Sequence, residues 1–321
     1  MAPSAYPVAR ATVRSALMRI GLFLGDLLAR PLDDVLAGLR QAADEGFASA
    51  WLPQVFGYDT LTVLALAGHS TPNIELGTAV VPTYPRHPMM LAGQALTVQA
   101  ATGGRLALGI GVSHQVVIEG MLGHSFERPA RHMKEYLSVL MPLVRGEQAS
   151  FQGETIKGVG GLGMPPAPVP QVLLAALAPA MLRLAGSMAD GTITWMVGPD
   201  TLQSHIVPTM AAANAAAGRE KPPRVVAGFP VCVTSDAAGA RERAAKTFAM
   251  YGQLPSYRAM LDKEGLAGPA DVAIVGDEDA VAESVLGMAE RGATDVICSM
   301  FGSRDDKERT RALLQRISAA R

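Results

Sequence analysis

The stretch Gly104-Arg105-Leu106-Ala107-Leu108-Gly109-Ile110-Gly111-Val112-Ser113-His114 joins an apolar run to a glycine-containing exit that ends on two polar side chains. Position 114 is histidine, so the stretch is not G-x-G-x-x-G and a dinucleotide-binding turn is excluded. On one reading its glycines only let neighbouring backbone pack closely. On the other, Gly111 lets a ligand reach the backbone while Ser113 and His114 present hydrogen-bonding groups. His114 is the one imidazole so placed. A lone histidine is more often a structural hydrogen-bonding residue than a catalyst, though its chemistry suits proton transfer near neutrality.

A second stretch, Ala175-Ala176-Leu177-Ala178-Pro179, ends one apolar run and opens a helical pattern, with proline suited to the first helical position. Small side chains there leave backbone N–H groups uncovered. Such groups, together with the helix dipole, form a phosphate site; the alternative is an ordinary alanine-rich helix start. Other chemistries find less material. No lysine falls at the end of an apolar run, which disfavours Schiff-base catalysis. There is no H-E-x-x-H and no closely spaced carboxylate pair, so no metal site is expected. Cys232 and Cys298 form neither a C-x-x-C pair nor a His/Cys cluster, which fits a reducing, cytoplasmic setting.

The elements that must carry these groups alternate. Apolar runs at Arg19–Leu24, Ala48–Pro53, Ile74–Val81, Leu106–Ile110, Val172–Leu177, Thr192–Met196, Val225–Val233 and Asp295–Met300 are separated by stretches of helical spacing. Near-continuous hydrophobic strands between amphipathic helices indicate an α/β fold with a parallel sheet buried on both faces. Eight such strands can close into a (β/α)8 TIM barrel; an open doubly wound sheet is the rival architecture. The glycine- and proline-rich segment Phe151–Pro170 breaks the rhythm and reads as an insertion between the fourth helix and the fifth strand. A second irregular stretch, Leu254–Pro269, suits a short helix and loop over the barrel mouth. In a barrel the active site lies at the carboxyl ends of the strands. The polar groups expected there are sparse: Asp26, Gln54, Thr83, Ser113, His114, Trp195, Thr234 and Ser299. A mostly apolar mouth suits a large flat ring system whose own chemistry does the work.

Bulk properties agree with one large globular domain. The 321 residues are 49% hydrophobic, 5% aromatic and 18% charged. With Lys+Arg 28 against Asp+Glu 29, the net charge of -1 leaves no electrostatic footprint for nucleic acid or an acidic membrane. No stretch has the length and apolarity of a membrane span, and the N-terminal segment lacks the apolar core of a secretory signal. Residues 1–17 read as a loose tail or as the product of an alternative start at Met18, and 18–321 as the barrel domain.

With these segments placed, the chain from about residue 18 onward resembles the luciferase-like oxidoreductase family, in particular its branch using the 8-hydroxy-5-deazaflavin coenzyme F420. The resemblance is carried, in order and spacing, by Gly77-Thr78-Ala79-Val80-Val81-Pro82 with Arg86-His87-Pro88, by the Gly104–His114 stretch, and by Ala185-Gly186-Ser187-Met188-Ala189-Asp190-Gly191. It implies a coenzyme ring lying over the third-strand end, against a bulge with a non-prolyl cis peptide at Ala79–Val80. It also implies a coenzyme phosphate at Ala176, Leu177 and Ala178, where the helix-start argument independently points. Homodimerisation is implied as well. The sugar-phosphate dehydrogenases of the family carry Asp-His after the second strand and Glu after the fourth. Here the matching positions are Gln54-Val55 and His114, which disfavours a sugar phosphate and leaves His114 as the candidate proton donor, with Gln54 the other candidate catalytic residue. The expected function is an F420-dependent oxidoreductase passing hydride to or from a small organic substrate. The alternatives are an FMN-dependent monooxygenase on the same scaffold and a barrel that binds a coenzyme without turnover.

Overall fold

The computed structural model describes residues 18–54 and 56–320; the expectation for residues 1–17 lies outside them. Eight strands form the barrel: β1 (Arg19–Phe23), β2 (Ser49–Leu52), β3 (Glu75–Thr78), β4 (Leu106–Gly111), β5 (Gln171–Ala175), β6 (Gly191–Trp195), β7 (Arg224–Val233) and β8 (Asp295–Met300). Each pairs in parallel with its sequence neighbours. Pairing of Arg19–Leu22 with Asp295–Cys298 closes the ring. The sequence-derived strands match these with ends shifted by one to three residues, and the closed barrel, not the open sheet, is the architecture.

Around the ring run α1 (Leu32–Asp44), α2 (Thr60–Gly68), α3 (Pro88–Ala101), α4 (Pro129–Val144), α5 (Pro179–Ser187), α6 (Val207–Ala216), α7 (Ala237–Thr247), α8 (Pro255–Glu264), α9 (Glu278–Gly287) and α10 (Arg304–Ala319). Their inward faces follow helical spacing, as with Val35, Leu39 and Ala42 of α1. Capping side chains fix their starts: Asp59 accepts from Thr62 N at 2.8 Å, and Ser303 and Asp306 form a reciprocal capping box at α10. Between α4 and β5, Ala149–Gln152 and Lys157–Gly160 pair as an antiparallel hairpin.

Inside the barrel, Trp51, Ala107, Leu173, Ile193, Val226 and Ile297 pack as one inner cluster. Trp51 fits because Gly77 lacks a side chain: a Cβ there would collide with the indole. Below this layer, Arg224 closes the amino ends of the strands. Its Nε and Nη2 reach both Asp295 oxygens at 2.9 and 2.6 Å, and its Nη2 also reaches Glu75 Oε1 at 2.6 Å. The hydrogen bonds from Arg224 and its position over the Trp51 ring make this face a rigid plug. Chemistry is thereby left to the opposite face.

Candidate active site

Pairing of β3 with β4 sets the geometry at the mouth. Gly77 pairs with Ala107 and Val81 with Ile110, so the β3 side carries one residue more than the β4 side and bulges there. The Ala79–Val80 peptide inside the bulge is cis, as the resemblance implies. Thr78 bridges the gap in the ladder: its hydroxyl donates to Gly109 O at 2.7 Å and accepts from Gly109 N at 2.9 Å. Ala79 and Val80 rest on the inner cluster beside Phe23 and remain partly exposed toward the mouth.

Gly111 serves this bulge. A Cβ on Gly111 would lie 2.8 Å from Val80 Cγ2 and 3.1 Å from Ala175 Cβ. Close packing is thus present at this glycine, with Val80 and Ala175 on either side of it. Just beyond it, Ser113 adopts a left-handed backbone (φ 60°), as does Met196 (φ 53°) at the exit of β6. Left-handed non-glycine residues are uncommon and collect at functional sites. His114 follows, half-buried, and burial pushes its pKa below the usual histidine value. The imidazole is therefore neutral at pH 7, suited to accept a proton.

An arc of rings crosses the mouth. Phe23 at the exit of β1 lies 5.1 Å from Trp195 at the exit of β6. Trp195 meets Tyr251 at 6.2 Å, Tyr251 meets Tyr257 at 5.0 Å, and Tyr257 meets His114 at 6.0 Å between centroids. Tyr257 comes from α8, within the irregular stretch expected over the mouth. The indole Nε1 of Trp195 is buried without a hydrogen bond among the described residues. It faces Tyr251, where it offsets part of the rise that burial imposes on that phenol, but does not reach hydrogen-bonding geometry. A buried donor left unspent points to a partner not supplied by the fold.

At the exit of β5, Ala176 is buried, Leu177 half-buried and Ala178 exposed. Ala178 begins α5 without any side-chain cap, and Pro179 occupies the first turn. The first-turn N–H groups are thus open to an anion. His205 Nε2 lies 2.9 Å from Leu177 O and steadies the same turn. Gln54, by contrast, is committed to structure: its Oε1 accepts from Thr60 N at 2.7 Å, at the start of α2. The bulge, Gly111, His114 and the β5 exit are brought together along three adjacent strands, while Gln54 points its carboxamide oxygen into a helix start.

Sequence reasoning missed the ring arc as a unit, since Tyr251 and Tyr257 lie far from Phe23 in the chain. Tyr257 had the irregular stretch ahead of the last β/α unit as its only signal, and Tyr251, just before that stretch, had none. Cys232 and Cys298 are buried and free, and burial pushes their thiols up to about 11 and about 12, which leaves them inert at neutrality. Among the described residues, no group of three or more His, Cys, Asp or Glu is placed to hold a metal ion, and no helix is long and apolar enough to cross a membrane.

The luciferase-like monooxygenase family matches residues 17–295, most of the chain. The protein belongs to that family. The 5,10-methylenetetrahydromethanopterin reductase of Methanolobus tindarius is 30% identical over 285 residues, covering 86% of this chain and 85% of the reductase. Among solved structures, the coenzyme F420-dependent tetrahydromethanopterin reductase of Methanopyrus kandleri superposes with a TM-score of 0.79 at 21% identity, over 94% of this chain and 99% of that one. The FMN-bound oxygenating component of 3,6-diketocamphane monooxygenase from Pseudomonas putida superposes at 0.74 with 18% identity, over 94% and 97%. This luciferase-like protein is accordingly an enzyme of the oxidoreductase and monooxygenase class, and it shares the barrel fold of both F420- and FMN-dependent proteins.

Proposed function

We propose that this luciferase-like protein is a coenzyme F420-dependent oxidoreductase that passes a hydride between the deazaflavin and a small organic substrate, such as a carbonyl, an alcohol or an activated alkene. The observation that carries the reading is the Ala79–Val80 bulge, a partly exposed shelf on a sealed inner core, facing an aromatic arc with one unspent buried N–H. These groups fit a flat heterocycle with hydrogen-bonding edges. When bound, the deazaflavin supplies two-electron hydride chemistry at its C5.

The protein's own residues supply the rest. Ala79 and Val80 back the ring, with Gly111 making room for Val80. The uncapped start of α5 at Ala176, Leu177 and Ala178 takes the coenzyme phosphate. Ser113 directs the chain so that His114 stands at the β4 exit, where the neutral imidazole takes the hydroxyl proton as an alcohol is oxidised and returns it in the reverse direction. Trp195, Tyr251 and Tyr257 exclude water on the far side. The resemblance to F420-dependent reductases in sequence and fold supports the coenzyme; the phosphate site alone does not choose, because FMN carries a phosphate too. The reading includes a homodimer working in the cytoplasm.

A fluorescence titration of apo-protein with F420 and with FMN under identical conditions tests it. Tighter binding of F420, by tenfold or about 1.4 kcal/mol at least, is expected. Tighter FMN binding, with oxygen consumption once the flavin is reduced, would instead assign a monooxygenase.

A further inference from the structure

On the outer flank of the β3 and β4 exits lies a cavity of about 400 Å³ whose walls include Tyr84, Arg86, Arg131 and His132. It adjoins the mouth, because Thr83 N donates to Gly111 O at 2.9 Å and so ties its wall to the β4 exit. The wall is stiff. Tyr84 stacks on His132 with centroids 3.9 Å apart and planes at 4°, and His132 Nε2 lies 3.0 Å from Thr83 Oγ1.

Tyr84 Oη, Arg86 Nη1 and Arg131 Nε are each buried without a hydrogen-bond partner among the described residues, and their three residues line this same cavity. Each arginine also makes one ion pair, Arg86 Nη2 with Asp59 and Arg131 Nη1 with Glu154. The unspent guanidinium N–H groups can only donate. Burial, with Glu119 nearby, raises the Tyr84 pKa, so its hydroxyl keeps its proton and donates as well. Donors buried without acceptors are rare in a fold, and these three belong to residues that share one cavity wall. The charges limit what those acceptors can be. Asp59 and Glu154 already offset the two guanidinium groups and Glu127 lines the rim, so a group that concentrates two charges in the cavity, such as a phosphate, is disfavoured. A single carboxylate, with about four acceptor sites and one charge, matches the donors and the balance.

We infer that this cavity is a carboxylate-binding subsite flanking the coenzyme site. Two sources carry the group: the acidic tail of the deazaflavin, an assignment that rests on the proposed function, or a carboxylate of the substrate itself, which does not require it.

Titration calorimetry on the full chain, as wild type, Tyr84→Phe and Arg131→Gln, separates the outcomes. The probes are glutarate, complete F420, and a deazaflavin 5′-phosphate lacking the acidic tail. If the tail fills the cavity, both variants lose tenfold or more in affinity for F420, and the tail-less fragment binds all three proteins equally. If a substrate carboxylate fills it, F420 binds all three equally, while glutarate saturates wild type, still does so in the presence of F420, and weakens at least tenfold in both variants. Saturable glutarate binding without any deazaflavin binding would keep the subsite and remove the coenzyme reading. Absence of saturable glutarate binding, with coenzyme affinity indifferent to both substitutions, would overturn the subsite and leave a water-filled space. Arg131 pairs with a largely exposed carboxylate, so R131Q carries the test should Y84F fail to fold.

Discussion

His114, at the exit of β4, packs against Tyr257 of α8, with ring centroids 6.0 Å apart and planes at 51°. The roof helix thereby helps to dehydrate the imidazole whose pKa burial lowers. Because the base form then persists below the ordinary histidine value, the acid limb of the alcohol-oxidation profile should fall below about pH 6.5. His114→Ala should abolish that limb and lower kcat/KM by about 100-fold or more. Tyr257→Ala, which admits water, should raise the His114 pKa in an NMR titration. An unchanged limb in H114A would move the proton chemistry to another group.

The Thr78–Gly109 contact makes a sharper structural prediction. A Cβ on Gly109 would collide with the Thr78 carbonyl, a backbone atom that cannot swing aside. Gly109→Ala should therefore cost about 1 to 3 kcal/mol in urea unfolding and weaken F420 binding by displacing the bulge. Gly93→Ala is the control: it sits within α3 with nothing near its would-be Cβ, and should stabilise by about 0.5 to 1 kcal/mol.

These two cases mark what the sequence discloses. The eight strands were legible because each is a short apolar run that a parallel barrel buries on both faces. The helix start at Ala178 was legible from Pro179 and the small residues before it. Gly111 was ambiguous, since a glycine that admits a ligand and one that admits Val80 look alike until the neighbouring strand is placed. Gln54 was read at the right strand end, but its commitment to Thr60 N depends on the following helix turning back. The cavity around Tyr84, Arg86 and Arg131 had no local signal, because its donors come from two segments whose meeting is a tertiary event.

His132 provides a pH test of the fold itself. Burial pushes its imidazole down to about 4, against the opposing pull of Glu135. A folded value below the unfolded one means that the unfolded chain binds a proton which the fold refuses. Stability is then full above about pH 6.5 and is lost as pH falls toward 4. Between pH 6.5 and 5, wild type should lose up to about 1.4 kcal/mol per pH unit more than His132→Gln in chemical denaturation. Glu135 does not confuse the comparison. Burial alone would raise it, but hydrogen bonds from Thr155, Glu154 and Ile156 hold it down to about 2, so it titrates at more acid pH. Parallel stability profiles of the two proteins would show His132 to be hydrated in solution.

The remaining prediction concerns assembly. Helix α2 and the start of α3 carry large apolar side chains on their outer side: Leu66 is 50% exposed and Met90 66%, with Phe56 at 60% and Tyr58 at 38% in the adjoining segment. Exposed apolar residues gathered on one flank of a globular domain mark an interaction surface. A second copy of the chain offers the same patch in return, and a two-fold interface needs only self-complementarity. We therefore propose a homodimer formed through α2 and α3. Light scattering should give twice the chain mass across the micromolar range. The double substitution Leu66→Glu with Met90→Glu should weaken association by roughly 30-fold or more, the equivalent of about 2 kcal/mol at an interface hot spot. Val169→Glu, at another exposed apolar residue (52% exposed) outside this patch, should leave the mass unchanged. Monomer mass for the wild type over a broad concentration range would remove the dimer, and dissociation by V169E in place of the α2–α3 pair would move the interface to the segment before β5.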